Sequence, residues 1–133
     1  MINTDIVFSI NVHEKINFLI KQINNIEKYV SLNFIIIINS NDYMYNEISN
    51  SNFFKTKNNI ILNKNYLNKR RHHGSLTEGI FLNMDYSINN YNFKYFIILS
   101  SRNLFYNYLN DKNINQLVKI NNKYTYDKLN KNT

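Results

Sequence analysis

Apolar residues fall along this chain in two alternating rhythms. Ile6–Ile10, Phe34–Ile38, Ile60–Leu62 and Tyr95–Leu99 are short, bounded apolar runs, the signature of strands. Phe34–Ile38 is uninterrupted, which predicts burial on both faces, as in a parallel sheet. Between the runs the spacing changes. Ile16, Leu19, Ile20, Ile23, Ile26 and Val30 recur at helical intervals, and Leu76, Ile80, Met84 and Ile88 recur every fourth residue. Each set is predicted to form one buried face of a helix. Tyr43–Ser51 predicts a shorter helix, and Ile114, Leu117 and Val118 mark a last one. Leu104–Leu109 fits neither rhythm, and from Asn121 the chain turns polar.

The polar positions punctuate these elements. Ser75 and Glu78 have the S-x-x-E spacing of a capping box, in which the serine accepts from a helix N–H and the glutamate reaches back. Asn11 and Glu14 repeat that spacing more loosely. The strands exit into Asn11-Val12-His13, Asn39-Ser40-Asn41-Asp42 and Ser100-Ser101-Arg102-Asn103. Strands alternating with helices predict an α/β fold: a Rossmann-type, mainly parallel sheet of about four strands with right-handed crossovers. Ile6–Ile10 and Tyr95–Leu99 are expected side by side at its centre. The polar exits would then gather along one edge, where open α/β sheets bind their ligands.

Composition narrows the picture. A chain of 133 residues holds one domain, taken as residues 1–123 with a polar tail over 124–133. There is no cysteine, which excludes a disulfide framework, thiolate catalysis and cysteine-ligated metal. The net charge of +7 invites a nucleic-acid reading. That reading is discounted: Asn, Ile, Lys, Tyr and Phe dominate, Ala and Pro are missing and Lys far outnumbers Arg, as an AT-rich coding sequence produces. Only Lys69, Arg70 and Arg71 cluster. No apolar run approaches the roughly 18 residues of a membrane span. The N-terminus has no basic region ahead of an apolar one, so an intracellular, soluble protein is expected.

Candidate chemistry sits at the strand exits. His13 can offer a ring nitrogen to a base or sugar, or serve as a backbone-satisfied cap. Arg70, Arg71, Gly74 and Ser75 precede a helix, whose free N–H groups and dipole favour an anion; an ordinary glycine turn fits them equally well. Asn39 and Asp42 read as turn residues first and ligand contacts second. His72 and His73 are adjacent and point apart, so no metal is expected. No Walker loop, Ser-His-Asp set or paired-carboxylate set is present.

The order of motifs is more specific than any one of them. DIVFSINVHEKINFLIKQI, then FIIIINSND, then NNIILN with RRHHGSLTEGI, then FKYFIILSSRNLF resembles the core-2/I-branching N-acetylglucosaminyltransferase family, relatives of the protein xylosyltransferases. The resemblance covers about residues 5–120 and corresponds to the family's N-terminal half. It implies a GT-A fold and inverting, metal-independent sugar transfer from a UDP-sugar donor to a glycan or protein acceptor. The donor contacts it implies are Val12, His13, Asn39, Arg70, Arg71, Gly74, Ser75, Ser100, Ser101, Arg102 and Asn103. Asn39 and Asn103 stand where the family has Asp, and the proline of its last motif is missing. An amide shares its hydrogen bonding between donor and acceptor, so ribose contacts should be weaker. The family's catalytic base, acceptor site and diphosphate-balancing residues lie C-terminal to this stretch. A second polypeptide is one source for them. The alternatives are a non-catalytic nucleotide-sugar or protein-binding module, and a basic nucleic-acid binder.

Overall fold

A computed structural model describes residues 1–12, 15–65, 75–100 and 102–115, with backbone alone at 75 and 76. In chain order the elements are β1 (Ile2–Asn3), β2 (Ile6–Val12), α1 (Ile16–Tyr29), β3 (Phe34–Ser40), α2 (Asp42–Asn50), α3 (Asn52–Lys55), β4 (Ile60–Leu62), α4 (Ser75–Asn90), β5 (Tyr91–Asn92) and β6 (Tyr95–Ser100). Residues 111–115 are helical, the beginning of the last helix that the periodicity predicts. The expected tail over 124–133 lies outside the described residues.

The main sheet has the order β4-β3-β2-β6, and every pairing in it is parallel. This is the α/β, Rossmann-like architecture expected from the alternating rhythms. The two strands predicted to be neighbours do pair, Ile6 opposite Tyr95 through Asn11 opposite Ser100. The expectation that both are central is corrected, because β6 ends the four-strand order. A second small sheet, Ile2 opposite Tyr91 and Asn3 opposite Asn92, has strands too short for periodicity to reveal.

β2 is buried at every position, and its side chains alternate between two layers. Ile6, Phe8, Ile10 and Val12 join Ile36 and Ile38 of β3 in a core closed by Leu19, Ile23 and Ile26 of α1 and by Met44 and Ile48 of α2. Burying each such side chain contributes roughly 1.5–3 kcal/mol. On the other face Val7 and Ile37 pack with Tyr91, and α4 lies over β2 and β3.

The helix starts differ from expectation. α1 begins at Ile16 with Lys15 at its N-cap and no side-chain cap. Asn11 is instead a strand residue, so the looser capping arrangement is absent. α2 starts one residue before the predicted Tyr43 because Asn41 caps it, its Oδ1 accepting from the Met44 N–H at 2.9 Å.

α4 carries the largest correction. Ser75 is its first residue, which leaves the predicted cap outside the described residues. The face turned to the sheet is Gly79, Asn83 and Ser87, all buried. The predicted stripe is not the buried face: Ile80 and Met84 are half-buried at its side, Ile88 is 56% exposed, and the Leu76 side chain lies outside the described residues. Hydrogen bonds across the sheet decide the rotation of this helix, as the site geometry explains.

Candidate functional site

The register sets a polar row across the carboxyl edge of the sheet. Asn11 of β2 lies opposite Asn39 of β3 on one side and Ser100 of β6 on the other. Asn63, just past β4, extends the row, its N–H donating to Ile38 O at 2.8 Å. From β2 the chain winds outward through β3 to β4, and β6 returns on the opposite side of β2. The direction of winding therefore reverses between β2 and β6, and open α/β sheets hold ligands in the crevice at such a reversal.

Beneath the row lies a buried amide network. Asn83 Nδ2 of α4 donates to Ser9 Oγ at 2.9 Å and to Ile37 O at 3.2 Å. Asn83 Oδ1 accepts from Asn63 Nδ2 at 3.0 Å. Asn63 Oδ1 accepts from the Asn65 N–H at 3.0 Å, and Asn39 Nδ2 donates to Asn65 O at 3.0 Å. Ser87 Oγ closes on Asn83 O at 2.6 Å. A carboxamide donates and accepts at once, so asparagines can be linked in series without burying charge. That capacity lets a polar line of α4 face the sheet.

Both helix-facing segments beside the reversal are strapped down. Gln22 of α1 is fully buried, and its Nε2 donates to Ser100 O at 2.6 Å and Asn103 O at 2.9 Å. Asn103 Oδ1 accepts from the Ser100 N–H at 2.7 Å. One turn further along α1, Asn25 exchanges two bonds with Phe105, Nδ2 to O at 2.8 Å and N–H to Oδ1 at 2.6 Å. The segment after β6, ambiguous in the sequence, runs as a non-repetitive strap over α1 to Leu109, which bridges Val30.

A groove of about 460 Å³ opens on the α1 side of the same edge, lined by Lys15, Ile16, Asn17, Asn41, Met44 and Glu47, with Tyr43 beside them. The volume suits a small ligand. Tyr43 donates to Glu47 Oε1 at 3.0 Å, and that bond to a carboxylate holds the phenol above its ordinary pKa. Ser40 lies next to the groove in sequence, directly before the Asn41 cap. It is fully buried, and its Oγ has no hydrogen-bond partner.

The sequence-derived residues divide as follows. Val12 is buried opposite Ser40, and Asn39 is a fully buried strand residue, neither turn nor surface. Asp42 begins α2 and is exposed. Ser100, Arg102 and Asn103 are brought together with Asn11 at the reversal, and all three are exposed. His13, Arg70, Arg71, Gly74 and Ser101, together with His72 and His73, lie outside the described residues, as does the Ser75 side chain. Gln22, Asn25, Asn63 and Asn83 were missed. The four-residue spacing of Gly79, Asn83 and Ser87 was the available signal for a small, polar helix face. Among the described residues no three His, Cys, Asp or Glu side chains stand close enough to hold a metal ion, and no helix is long and apolar enough to cross a membrane. No family model matches the chain, and comparison with curated proteins and with solved structures gives no match.

Proposed function

We propose that the carboxyl edge binds a nucleotide-sugar, in the manner of the UDP-sugar donor-binding half of a branching glycosyltransferase. The observation that carries the reading is the reversal of winding between β2 and β6, with a groove open at the same edge. The edge carries neutral groups of the kind that ribose and base hydrogen-bond, at Asn11 and Ser100. Exposed Lys15 and Arg102 flank it and supply cations for a diphosphate. His13 follows β2 directly in the sequence, and the resemblance assigns it a nucleoside contact. The transfer step needs a base to take the acceptor hydroxyl proton, and in this reading a second polypeptide supplies it with the glycan or protein acceptor site.

One observation favours a second reading, a non-catalytic binding module. The amides of Asn39, Asn63 and Asn103 are committed to internal bonds, as scaffold residues would be. Titration with UDP separates the two. Donor binding predicts saturable binding near 1 mM, about −4 kcal/mol, unchanged by a chelator, and weakened by His13→Ala, Lys15→Glu or Arg102→Glu. Indifference to UDP at several millimolar would leave the module reading. Sugar transfer by the isolated chain would place a base within these residues.

A further inference from the structure

α4 leaves two large apolar side chains on its outer face while it buries a polar line. A helix at a protein surface ordinarily buries its apolar stripe and shows its polar face to water; here Gly79, Asn83 and Ser87 are buried while Phe81 is 67% and Ile88 56% exposed. Phe81 and Ile88 are seven residues apart, two helical turns, so they lie one above the other, with Met84 between them and Ile80 beside it. A second line runs parallel to the first. Glu78 and Asp85, also seven apart and each three residues before an apolar member, are both exposed. The helix contains no lysine or arginine, in a chain whose charge is +7. The outer face of α4 thus carries an apolar seam flanked along one side by carboxylates.

We infer that the outer face of α4 docks a basic amphipathic helix of a partner polypeptide. An amphipathic helix is recognised through anchors at i, i+3, i+4 and i+7, the spacing that Phe81, Met84 and Ile88 present. Lysines or arginines beside the partner's apolar stripe would meet Glu78 and Asp85, and this charge complementarity selects the occupant. A second copy of this chain does not supply it through the same face, because two α4 helices face to face would bring carboxylates alone to the rim, and like charges there oppose docking. The seam lies on the outer side of α4, away from the sheet, so the inference does not depend on nucleotide binding.

The probe is a synthetic 18-residue helical peptide with leucine along one face and lysine at the flanking positions, titrated against the whole chain by fluorescence anisotropy. A second peptide keeps the leucines and replaces every lysine with glutamate. The lysine peptide is expected to bind saturably and at least tenfold more tightly than the glutamate one. Phe81→Ser with Ile88→Ser should weaken it at least tenfold, and Glu78→Lys with Asp85→Lys should reverse the preference between the peptides. All four side chains are outside the core, and an unchanged circular dichroism melt verifies that each variant is folded. No binding, equal binding of both peptides, or binding indifferent to Phe81 and Ile88 would overturn the inference. Self-association in sedimentation that disappears in the Phe81→Ser, Ile88→Ser variant would overturn it in favour of a second copy.

Discussion

Asn83 shows at the scale of one residue why hydrophobic pattern and burial diverge in this protein. It stands in the middle of α4, fully buried, with its amide joined to Ser9, Ile37 and Asn63. Replacing it with leucine preserves volume but strands a buried donor on Asn63 and removes the donor to Ser9. Each unsatisfied buried group costs about 1–3 kcal/mol. Asn83→Leu should therefore lower the urea midpoint by the equivalent of about 2–4 kcal/mol without changing the slope of the transition. A variant as stable as the parent would show that the network is dispensable. Tyr91 carries a pH dependence. Burial, and secondarily the charge of Tyr86, raise its folded-state pKa above the ordinary 10.0. The unfolded chain loses that proton first, so stability is full below pH 10 and falls as pH rises through 10 towards the folded value. Tyr91→Phe should flatten that alkaline fall in melts recorded between pH 8 and 11; an unaltered slope would exclude Tyr91 as its source.

At the scale of elements, strand runs were legible and helix boundaries were partly so. Phe34–Ile38 announces itself because a strand covered on both faces excludes polar residues along its middle; Tyr95–Leu99 is equally apolar although it ends the sheet and leaves Ile98 54% exposed. Their polar last residues, Asn39, Ser40 and Ser100, still belong to the ladders, since backbone pairing continues where the apolar run stops. α2 was placed within one residue, and its cap explains the difference. Asn41→Ala removes the acceptor of the Met44 N–H and should cost about 1 kcal/mol; a smaller loss than about 0.3 kcal/mol by denaturant melts would mean that water replaces the cap fully. The only sign of the α4 rotation in the sequence is the four-residue spacing of Gly79, Asn83 and Ser87, which the apolar spacing outweighs. The leucine–isoleucine–methionine stripe satisfies the periodicity of a core-facing helix, yet bonds from β2, β3 and the segment after β4 turn the other line inward.

At the scale of the whole molecule, the sheet is graded from its middle outward. Ile6, Val7, Phe8 and Ile10 of β2 and Ile36, Ile37 and Ile38 of β3 are completely excluded from solvent, whereas every residue of β4 and β6 retains some exposure. Native-state hydrogen exchange should therefore find β2 and β3 amides opening only with global unfolding, and β4 and β6 amides opening at lower free energy. Uniform protection across all four strands would contradict this gradient. The candidate edge joins the two regimes, with buried Asn11 beside exposed Ser100, whose carbonyl and N–H are held by Gln22 and Asn103. Of that edge, the strand exits were legible as polar breaks, while the straps from Gln22 and Asn25 were not, because nothing local ties them to residues about eighty positions away in the sequence.

The sequence by itself determined the alternation of strands and helices, the parallel sheet and the polar carboxyl edge. Those follow from local periodicity and from the physical need to keep apolar runs out of water. Only the tertiary structure decided that β6 ends the four-strand order, that Asn39 and Asn83 are interior residues, and that α4 leaves Phe81 and Ile88 in solvent. A polar side chain can be buried once its hydrogen bonds are met. For Asn83 the partner Ser9 lies 74 positions away along the chain, a distance across which no local pattern can signal.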